Sequence, residues 1–171
     1  MVRAVLISGT LGAGKTRIAE EIGDVLSRRG SRCGVVDLDW LCQMDPPPTD
    51  DRFNDRLAFA NLAAIWPNYV AAGIQYFVVA RVVENASDRA HYEEALPGVQ
   101  LKIVRLEASS ATCRARLTQR QPEGHSRDWH LGRTDTLAGI LKDLALDDFV
   151  VQNDERSAED VANEIISLLN W

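Results

Sequence analysis

The segment from Gly9 to Thr16 has residue types and a spacing suited to binding phosphate. It reads GTLGAGKT and matches the pattern GxxxxGK[ST] at every fixed position. Glycines allow backbone conformations that side chains would block, so main-chain N–H groups can surround phosphate oxygens. The pattern predicts that Lys15 bridges the β- and γ-phosphates of a nucleotide and that the Thr16 hydroxyl coordinates Mg²⁺. The residues expected at this phosphate site are Gly9, Thr10, Leu11, Gly12, Ala13, Gly14, Lys15 and Thr16.

The sequence on either side of this motif supports the prediction. The apolar run Val5–Ser8 comes directly before it, and Ile18 and Ile22 begin a helical stripe directly after it. A strand, a glycine-rich loop and a helix N-terminus in that order are what an anion site requires, whereas a chance match in a turn has no such context. The rival dinucleotide fingerprint GxGxxG fails, because Arg17 stands where its third glycine should be.

Two carboxylates follow the second apolar run, in the segment Val35-Val36-Asp37-Leu38-Asp39. The carboxyl ends of strands in an open α/β sheet line the crevice where ligands bind. Phosphoryl transfer needs one group to hold Mg²⁺ and another to orient the incoming hydroxyl, so Asp37 and Asp39 are candidates for these two roles. An isolated pair of this kind would more simply be two solvated loop acids.

Arginines cluster late in the chain. Arg116 and Arg120 share one helix face by their i, i+4 spacing and precede the polar segment 121–128, which we predict to be a mobile loop. Such arginines can offset the charge of a transferring phosphoryl group, although an exposed basic helix face is the simpler alternative. Trp129 and His130, beside this loop, would close on a ligand or anchor the next helix. The remaining arginines of the cluster are Arg114, Arg127 and Arg133.

These residues require a scaffold of strands and helices in alternation. Short, continuously apolar runs predict strands covered on both faces, as in a parallel sheet. The predicted strands are Ala4–Ser8, Cys33–Asp37, Gln75–Ala80, Gln100–Leu106 and Phe149–Gln152. Helical stripes lie between them, including one from Phe53 to Ala64 that Trp66-Pro67 should break. The stripe from Val161 to Leu169 opens with the capping pattern of Ser157 to Asp160. The alternation predicts a three-layer α/β domain spanning 1–171.

Composition narrows the possible partners. The chain has 171 residues, 46% of them hydrophobic, and a formal net charge of −6. That acidity disfavours general binding of nucleic acid or an anionic membrane, and no apolar run approaches the length of a membrane span. Three widely spaced cysteines without a CxxC pair favour reduced thiols in a cytosol. We therefore expect a cytoplasmic protein, monomeric or homodimeric, with no nucleic-acid or membrane partner.

The sequence resembles the small P-loop kinases, such as adenylylsulfate kinase, gluconate kinase, shikimate kinase and chloramphenicol phosphotransferase. The resemblance covers nearly the whole chain in order and rests on GTLGAGKT, on DLD at 37–39 and on CRARLTQR at 113–120. It implies a P-loop NTPase fold, with a five-stranded parallel sheet flanked by helices and a short lid at about 114–133. It also implies ATP and Mg²⁺ as cofactors and transfer of the γ-phosphoryl group to a hydroxyl of a small metabolite or antibiotic.

The resemblance further implies roles for single residues. Asp39 would contact the acceptor hydroxyl, often as a base, and Asp37 would assist with Mg²⁺, although which of the two is the base stays open. Arg116 and Arg120 would belong to the lid and face the phosphates. The stretch from Asn153 to Arg156 would lie near the adenine.

The acceptor should enter between the ends of the second and third strands, covered by the helical region 53–72. Arg81 follows the third strand, where an unpaired guanidinium would bind a substrate anion unless Asp88 or Glu84 pairs with it. Trp66 is better explained as core packing. The candidate acceptor contacts are Asp37, Asp39, Trp40, Arg56, Asn61, Trp66 and Arg81. None of these identifies the acceptor.

Other nucleotide-binding classes fit the sequence less well. The guanine-reading NKxD is absent, since the stretch from Val151 to Glu155 lacks its lysine, and the transporter signature LSGGQ does not occur. The third predicted strand ends in Arg81 instead of an acid, which a kinase with its acid after the second strand tolerates. Two alternatives remain: a nucleotide-binding regulatory ATPase module, and a nucleoside or nucleotide kinase.

Overall fold

The apolar runs of the sequence form a parallel sheet at the centre of the fold. The computed structural model describes residues 1–120 and 122–171. Its sheet has the strand order β2-β3-β1-β4-β5, and every neighbouring pair is parallel. The strands are β1 (Arg3–Gly9), β2 (Cys33–Asp37), β3 (Tyr76–Ala80), β4 (Gln100–Glu107) and β5 (Phe149–Gln152). The predicted five-stranded parallel sheet is thus confirmed.

Helices cover both faces of the sheet and complete three layers. They are α1 (Lys15–Arg28), α2 (Asp55–Ala71), α3 (Asp88–Ala95), α4 (Ser110–Arg120), α5 (His125–Leu144) and α6 (Ala158–Leu168), with a 3₁₀ turn at Leu38–Leu41. Successive β1 side chains point to opposite faces, so Val5 and Ile7 join the core under α1 and α6. Ala4 and Leu6 join the core under α2 and α3. Burial on both faces explains why the strands lack polar alternation.

Two local predictions were wrong. Helix α2 does not break at Trp66-Pro67 but continues through the proline to Ala71. Trp66 and Tyr69, on either side of Pro67, pack on the Phe77 ring with centroid distances of 5.3 and 4.9 Å, and this burial offsets the lost backbone hydrogen bond.

The second prediction, a loop at 121–128, is wrong in its extent, because only residues 122–124 of its described part are non-helical between α4 and α5. Helix α5 begins at His125, and Asp128 in its first turn has favourable charge for a helix N-terminus. Leu137 and Leu141, one turn apart on α5, are buried and fix the helix to the body of the protein. Gln121, the first residue of the predicted loop, lies outside the described residues.

The sheet brings the candidate site residues to one edge. Because β1, β2 and β3 are parallel, their carboxyl ends meet there, and both Asp37 and Ile7 lie in register with Ala80. The loop after Gly9, the 3₁₀ turn after Asp37 and Arg81 after β3 are therefore neighbours. Within the described ranges, no helix combines the length and the apolar character needed to cross a membrane.

Candidate active site

The segment 9–16 forms a loop that connects β1 to the N-terminus of α1. Gly12 and Gly14 have φ angles of 81° and 97°, which L-residues rarely adopt. Ala13 N–H donates to Thr10 O at 3.2 Å and closes the turn, while the first orphan N–H groups of α1 face the loop. The backbone therefore has the curvature and the free donors of an anion-binding loop.

Lys15 lies across this loop. Its Nζ donates to the carbonyl oxygens of Gly9 and Thr10, both at 3.1 Å. Burial lowers the pKa of Lys15, and the nearby carboxylates of Asp39 and Asp37 act in the opposite direction. The ammonium is thus held over the mouth of the loop, between the candidate phosphate site and the two aspartates.

Thr16 and Asp37 meet at the base of the site. The Thr16 hydroxyl donates to Asp37 Oδ2 at 2.6 Å. Adjacent oxygen ligands in an octahedral Mg²⁺ shell stand about 2.9 Å apart, so this pair fits two neighbouring positions of such a shell. The described residues contain no cluster of three or more His, Cys, Asp or Glu side chains that could hold a metal alone. The residues present fit a Mg²⁺ ion that completes its coordination with phosphate oxygens and water.

Asp39 lies two residues after Asp37, in the 3₁₀ turn. Its backbone N–H donates to Asp37 Oδ1 at 3.0 Å, so Asp37 caps the turn that presents Asp39. The Asp39 carboxylate is 59% exposed and lies 3.2 Å from a guanidinium nitrogen of Arg81. The surrounding protein wall desolvates the carboxylate and raises its pKa, while the charges of Arg81 and Lys15 act to lower it.

A cavity of about 510 Å³ opens beside Asp39. Its walls come from the segment after the 3₁₀ turn, the start of α2, the segment after β3 and the first half of α5. The lining residues are Leu11, Asp39, Cys42, Gln43, Met44, Asp45, Phe53, Asn54, Asp55, Arg81, Val82, Glu84, Asn85, Asp88, Trp129, His130, Arg133 and Leu137. This volume is sufficient for a small-molecule ligand.

Arg81 forms part of the cavity floor, but its guanidinium is not free. It is paired with Asp39 at 3.2 Å and Asp55 at 2.7 Å, and it also donates to Cys42 Sγ and to the Phe53 carbonyl. The sequence left open whether this guanidinium would be unpaired, and in this structure it is paired. The sequence alternatives Asp88 and Glu84 are not its partners, because α2 brings Asp55 closer.

Several predicted acceptor residues lie elsewhere. Trp40 is 70% exposed and Arg56 pairs with Asp50 at 2.9 Å on the surface, so neither lines the cavity. Asn61 donates to the Leu41 carbonyl and supports the 3₁₀ turn. Trp66 is buried in the core, as expected.

The two favoured arginines lie on the phosphate side of the site. Arg116 donates to the carbonyl of Asn153 at 2.9 Å and to those of Gly12 and Ala13 at 3.4 Å. Arg120 is exposed at the end of α4, and its charge acts to lower the pKa of Lys15. The other arginines of the cluster have acidic partners: Arg114 pairs with Asp135, Arg127 with Glu123 and Arg133 with Glu84.

Of the two predicted adenine-side residues, Asn153 contacts the phosphate-binding loop and Arg156 does not. Asn153 is 4% exposed, and its Nδ2 donates to the Ala13 carbonyl at 2.7 Å. Arg156 bonds to the Gln152 carbonyl and pairs with Glu164. Their contact with a nucleotide base stays a prediction.

A family model described as an AAA domain matches residues 5–138 of the chain. The chain belongs to this AAA domain family. The matched part of this AAA domain contains the phosphate-binding loop, both aspartates, Arg81 and the arginines from 114 to 133. No curated protein sequence matches the chain.

Solved structures resemble this AAA domain over nearly its full length. A sugar kinase from Janibacter sp. has a TM-score of 0.69 at 18% identity, with 99% of this chain and 95% of that chain covered. A Sinorhizobium meliloti gluconokinase has a TM-score of 0.65 at 21% identity, covering 98% and 91%. The Mycobacterium tuberculosis APS kinase, in complex with AMPPNP and APS, has a TM-score of 0.65 at 21% identity, covering 99% and 98%. The fold implied by the sequence resemblance is confirmed.

Sequence reasoning missed part of the cavity wall. The sequence pattern identifies Phe53 only as one position of a helical stripe. In the structure its ring lies 6.4 Å from that of Trp129, and the two rings form one side of the cavity. The sequence around Asp55 indicates only the start of a helix and no role in the cavity. The two rings belong to segments far apart in sequence, so no local pattern could join them.

Gly12 provides a test of the loop geometry. A Cβ on Gly12 would stand 2.5 Å from the Cys113 carbonyl oxygen, in addition to the strain of a positive φ. We expect Gly12→Ala to lower the free energy of unfolding by about 2–5 kcal/mol and to weaken nucleotide binding, measured by urea unfolding and calorimetry.

Gly30→Ala is the matched control for Gly12→Ala. Gly30 also has a positive φ, of 76°, but nothing lies within 4 Å of its added Cβ. Its substitution should cost only about 1–2 kcal/mol of backbone strain and leave nucleotide affinity unchanged. Equal losses of stability in the two variants would contradict the close approach of the loop to α4.

Proposed function

We propose that this AAA domain is an ATP- and Mg²⁺-dependent phosphotransferase that moves the γ-phosphoryl group to a hydroxyl of a small molecule. One observation carries the proposal. The Asp39 carboxylate stands between the phosphate-binding loop, where its charge affects the pKa of Lys15, and a cavity of about 510 Å³ that it lines. A group in that position can orient an acceptor toward a bound phosphate.

The residues on the nucleotide side have separate roles. The loop amides and the α1 N-terminus bind the phosphates, and Lys15 supplies a positive charge to the β- and γ-phosphates. Thr16 and Asp37 would hold Mg²⁺, as their 2.6 Å contact supports. When bound, the ion neutralises charge on the phosphates and orients them for transfer.

The acceptor side depends on Asp39. Its carboxylate accepts a hydrogen bond from the acceptor hydroxyl and aligns that oxygen with the γ-phosphorus. It takes the hydroxyl proton as the new O–P bond forms, while the bond from the γ-phosphorus to the β,γ-bridging oxygen breaks and ADP leaves. A raised pKa suits this role, because a stronger base accepts the proton more readily.

Arg116 and Arg120 supply positive charge at the transferring group, in a lid of about 114–133. Arg116 contacts the loop carbonyls, and Arg120 is exposed at the end of α4, close enough for its charge to act on Lys15. We further propose that the whole of 1–171 acts as one unit, with Asn153 and Arg156 on the nucleotide's base side.

The cavity favours an enzyme over a regulatory ATPase module. A protein that only binds or hydrolyses nucleotide does not need a cavity of acceptor size beside the candidate general base, Asp39. The proteins of similar structure include a sugar kinase, a gluconokinase and an APS kinase, which also supports transfer to a small acceptor.

Labelled ATP tests the proposal directly. The protein is incubated with Mg²⁺, γ-labelled ATP and a small-metabolite extract, and labelled products are identified by mass. We expect a new phosphorylated hydroxyl compound. Release of labelled inorganic phosphate alone, at an unchanged rate with and without the extract, would instead support the regulatory ATPase.

Metal dependence separates the role of Asp37 from that of Asp39. We expect Asp37→Asn to raise the Mg²⁺ concentration for half-maximal activity by about 10–100-fold, because one of the two ligands loses its charge. The measurement is a Mg²⁺ titration at saturating ATP. Asp24→Asn, the same change at an exposed site on α1, serves as the control. An unchanged Mg²⁺ requirement in Asp37→Asn would exclude Asp37 as a ligand.

A further inference from the structure

The charge balance of the cavity beside Asp39 bears on the class of acceptor. Its lining contains five carboxylates against two guanidinium groups, a formal charge of −3 with His130 neutral. The carboxylates are Asp39, Asp45, Asp55, Glu84 and Asp88, and the guanidinium groups are Arg81 and Arg133. An anionic ligand would enter this space against a net negative field.

Neither arginine is available to an anion. Arg81 already donates to two carboxylates, a thiol and a carbonyl, and its side chain is 7% exposed. Arg133 pairs with Glu84 and lies over the Phe53 ring at 5.6 Å. Binding a carboxylate or phosphate here would require breaking a partly buried ion pair, which is costly because a charge is left without its partner.

Among the described residues, Arg52 is a further cation near the cavity, and it stacks on the aromatic wall. It lies 5.7 Å from the ring centroids of both Phe53 and Trp129 and is itself exposed. It does not line the cavity, so its charge remains largely screened by water. The interior of the cavity therefore stays acidic.

Acidic groups in the wall remain available to a cation. Asp45 is exposed and forms no ion pair with any described residue. Glu84 is one-fifth exposed, and burial raises its pKa despite the neighbouring Arg133, so a second positive charge would stabilise its ionised form. The rings of Phe53 and Trp129 offer the faces to which ammonium groups are attracted.

Asn54 supplies a second and independent observation. It lines the cavity, is 8% exposed, and its Nδ2 donates to the carbonyls of Cys42 and Met44 at 3.0 Å. These two bonds fix the orientation of the amide. Its Oδ1 is buried and has no hydrogen-bond partner within the described part of the chain. A buried acceptor without a donor is costly, and a ligand N–H or O–H that reached it would satisfy it.

We propose that the acceptor is an amine-bearing hydroxyl compound, cationic at neutral pH, whose ammonium group binds among the carboxylates of this cavity while its hydroxyl faces Asp39. This inference rests on the proposed phosphotransferase function and narrows its substrate class. The ammonium group adds charge pairing with these carboxylates, which an uncharged polyol lacks and which an acid would replace with repulsion.

Charge-sorted acceptors test the inference. A small-metabolite extract is separated by ion exchange into cationic, neutral and anionic fractions, and each is incubated with the protein, Mg²⁺ and γ-labelled ATP. We expect label in compounds of the cationic fraction. Label confined to the neutral or anionic fraction would overturn the assignment of charge and leave the phosphotransferase intact. Absence of label from all three fractions, with Mg·ATP still raising the melting temperature, would overturn both.

A matched pair of variants locates the ammonium group. Asp45 lines the cavity, whereas Asp50 pairs with Arg56 outside it, and both are exposed aspartates of the same connecting segment. With an acceptor from the cationic fraction, Asp45→Asn should raise KM by about two- to fivefold and leave kcat unchanged. Asp50→Asn should change neither constant. A rise in KM of the same size in both variants would contradict binding of the amine at this wall.

Discussion

Replacing Asp39 with asparagine is expected to lower kcat for phosphoryl transfer by about 10²–10⁴-fold, the range typical of losing a general base. Asparagine keeps the size of the side chain and its place beside Arg81, but it cannot take a proton. The affinity for Mg·ATP should remain within about a factor of two, since the contacts that hold phosphate lie in the loop and at Thr16. Single-turnover rates with labelled ATP, together with nucleotide binding by calorimetry, check both parts.

The fold should survive this substitution. Arg81 retains Asp55, Cys42 and the Phe53 carbonyl when the Asp39 charge is removed. Asp50→Asn gives the control, because it removes a carboxylate at an exposed position outside the cavity. A loss of nucleotide affinity as large as the loss of kcat would assign Asp39 to the metal site and make Asp37 the candidate base.

Replacing Lys15 with alanine should abolish the stabilisation of the protein by Mg·ATP. A ligand at a hundred times its dissociation constant adds about 2.7 kcal/mol to the free energy of unfolding. For a chain of this size each kcal/mol raises the melting temperature by about 2–4 °C. The wild type should therefore melt about 5–11 °C higher with saturating nucleotide, and Lys15→Ala should melt at nearly the same temperature with and without it.

Lys15→Ala should also be folded and, without nucleotide, no less stable. Among the described residues its Nζ bonds only to loop carbonyls, and burial lowers its pKa, so the charged form is held at a cost that alanine avoids. The chain offers Lys142→Ala, at an exposed position of α5, as the control with the same change. Retained stabilisation by Mg·ATP in Lys15→Ala would rule out the proposed phosphate contact.

The residues predicted best from sequence are those whose function depends on local order along the chain. Gly9 to Thr16 and the pair Asp37 and Asp39 each follow a strand directly, and the ends of parallel strands must meet at one edge. Their positions follow from the apolar runs alone. The capping of α6 by Ser157 is local in the same sense, and its Oγ accepts from Asp160 N–H at 3.0 Å.

The acceptor cavity could not be predicted in this way. The pairing of Arg81 with Asp55 depends on where α2 begins and on how that end lies against the residue after β3, which the apolar pattern does not specify. The contact of Phe53 with Trp129 depends on α5 beginning at His125. Such contacts are set by packing between distant elements, which neither spacing nor propensity records.

The strand order of the sheet has a consequence for the synthesis of the protein. The first strand made, β1, lies between β3 and β4, whose pairing begins at Tyr76 and Gln100. At a synthesis rate of about 5–20 residues per second, the apolar side chains of β1 stay unpaired for roughly 5–20 s, until β3 and β4 have left the ribosome. During that time the phosphate-binding loop has no sheet edge to shape it, so nucleotide cannot assist the early steps of folding. Substitutions in β3 or β4 should therefore reduce the yield of folded protein in cells even where the finished site is unchanged.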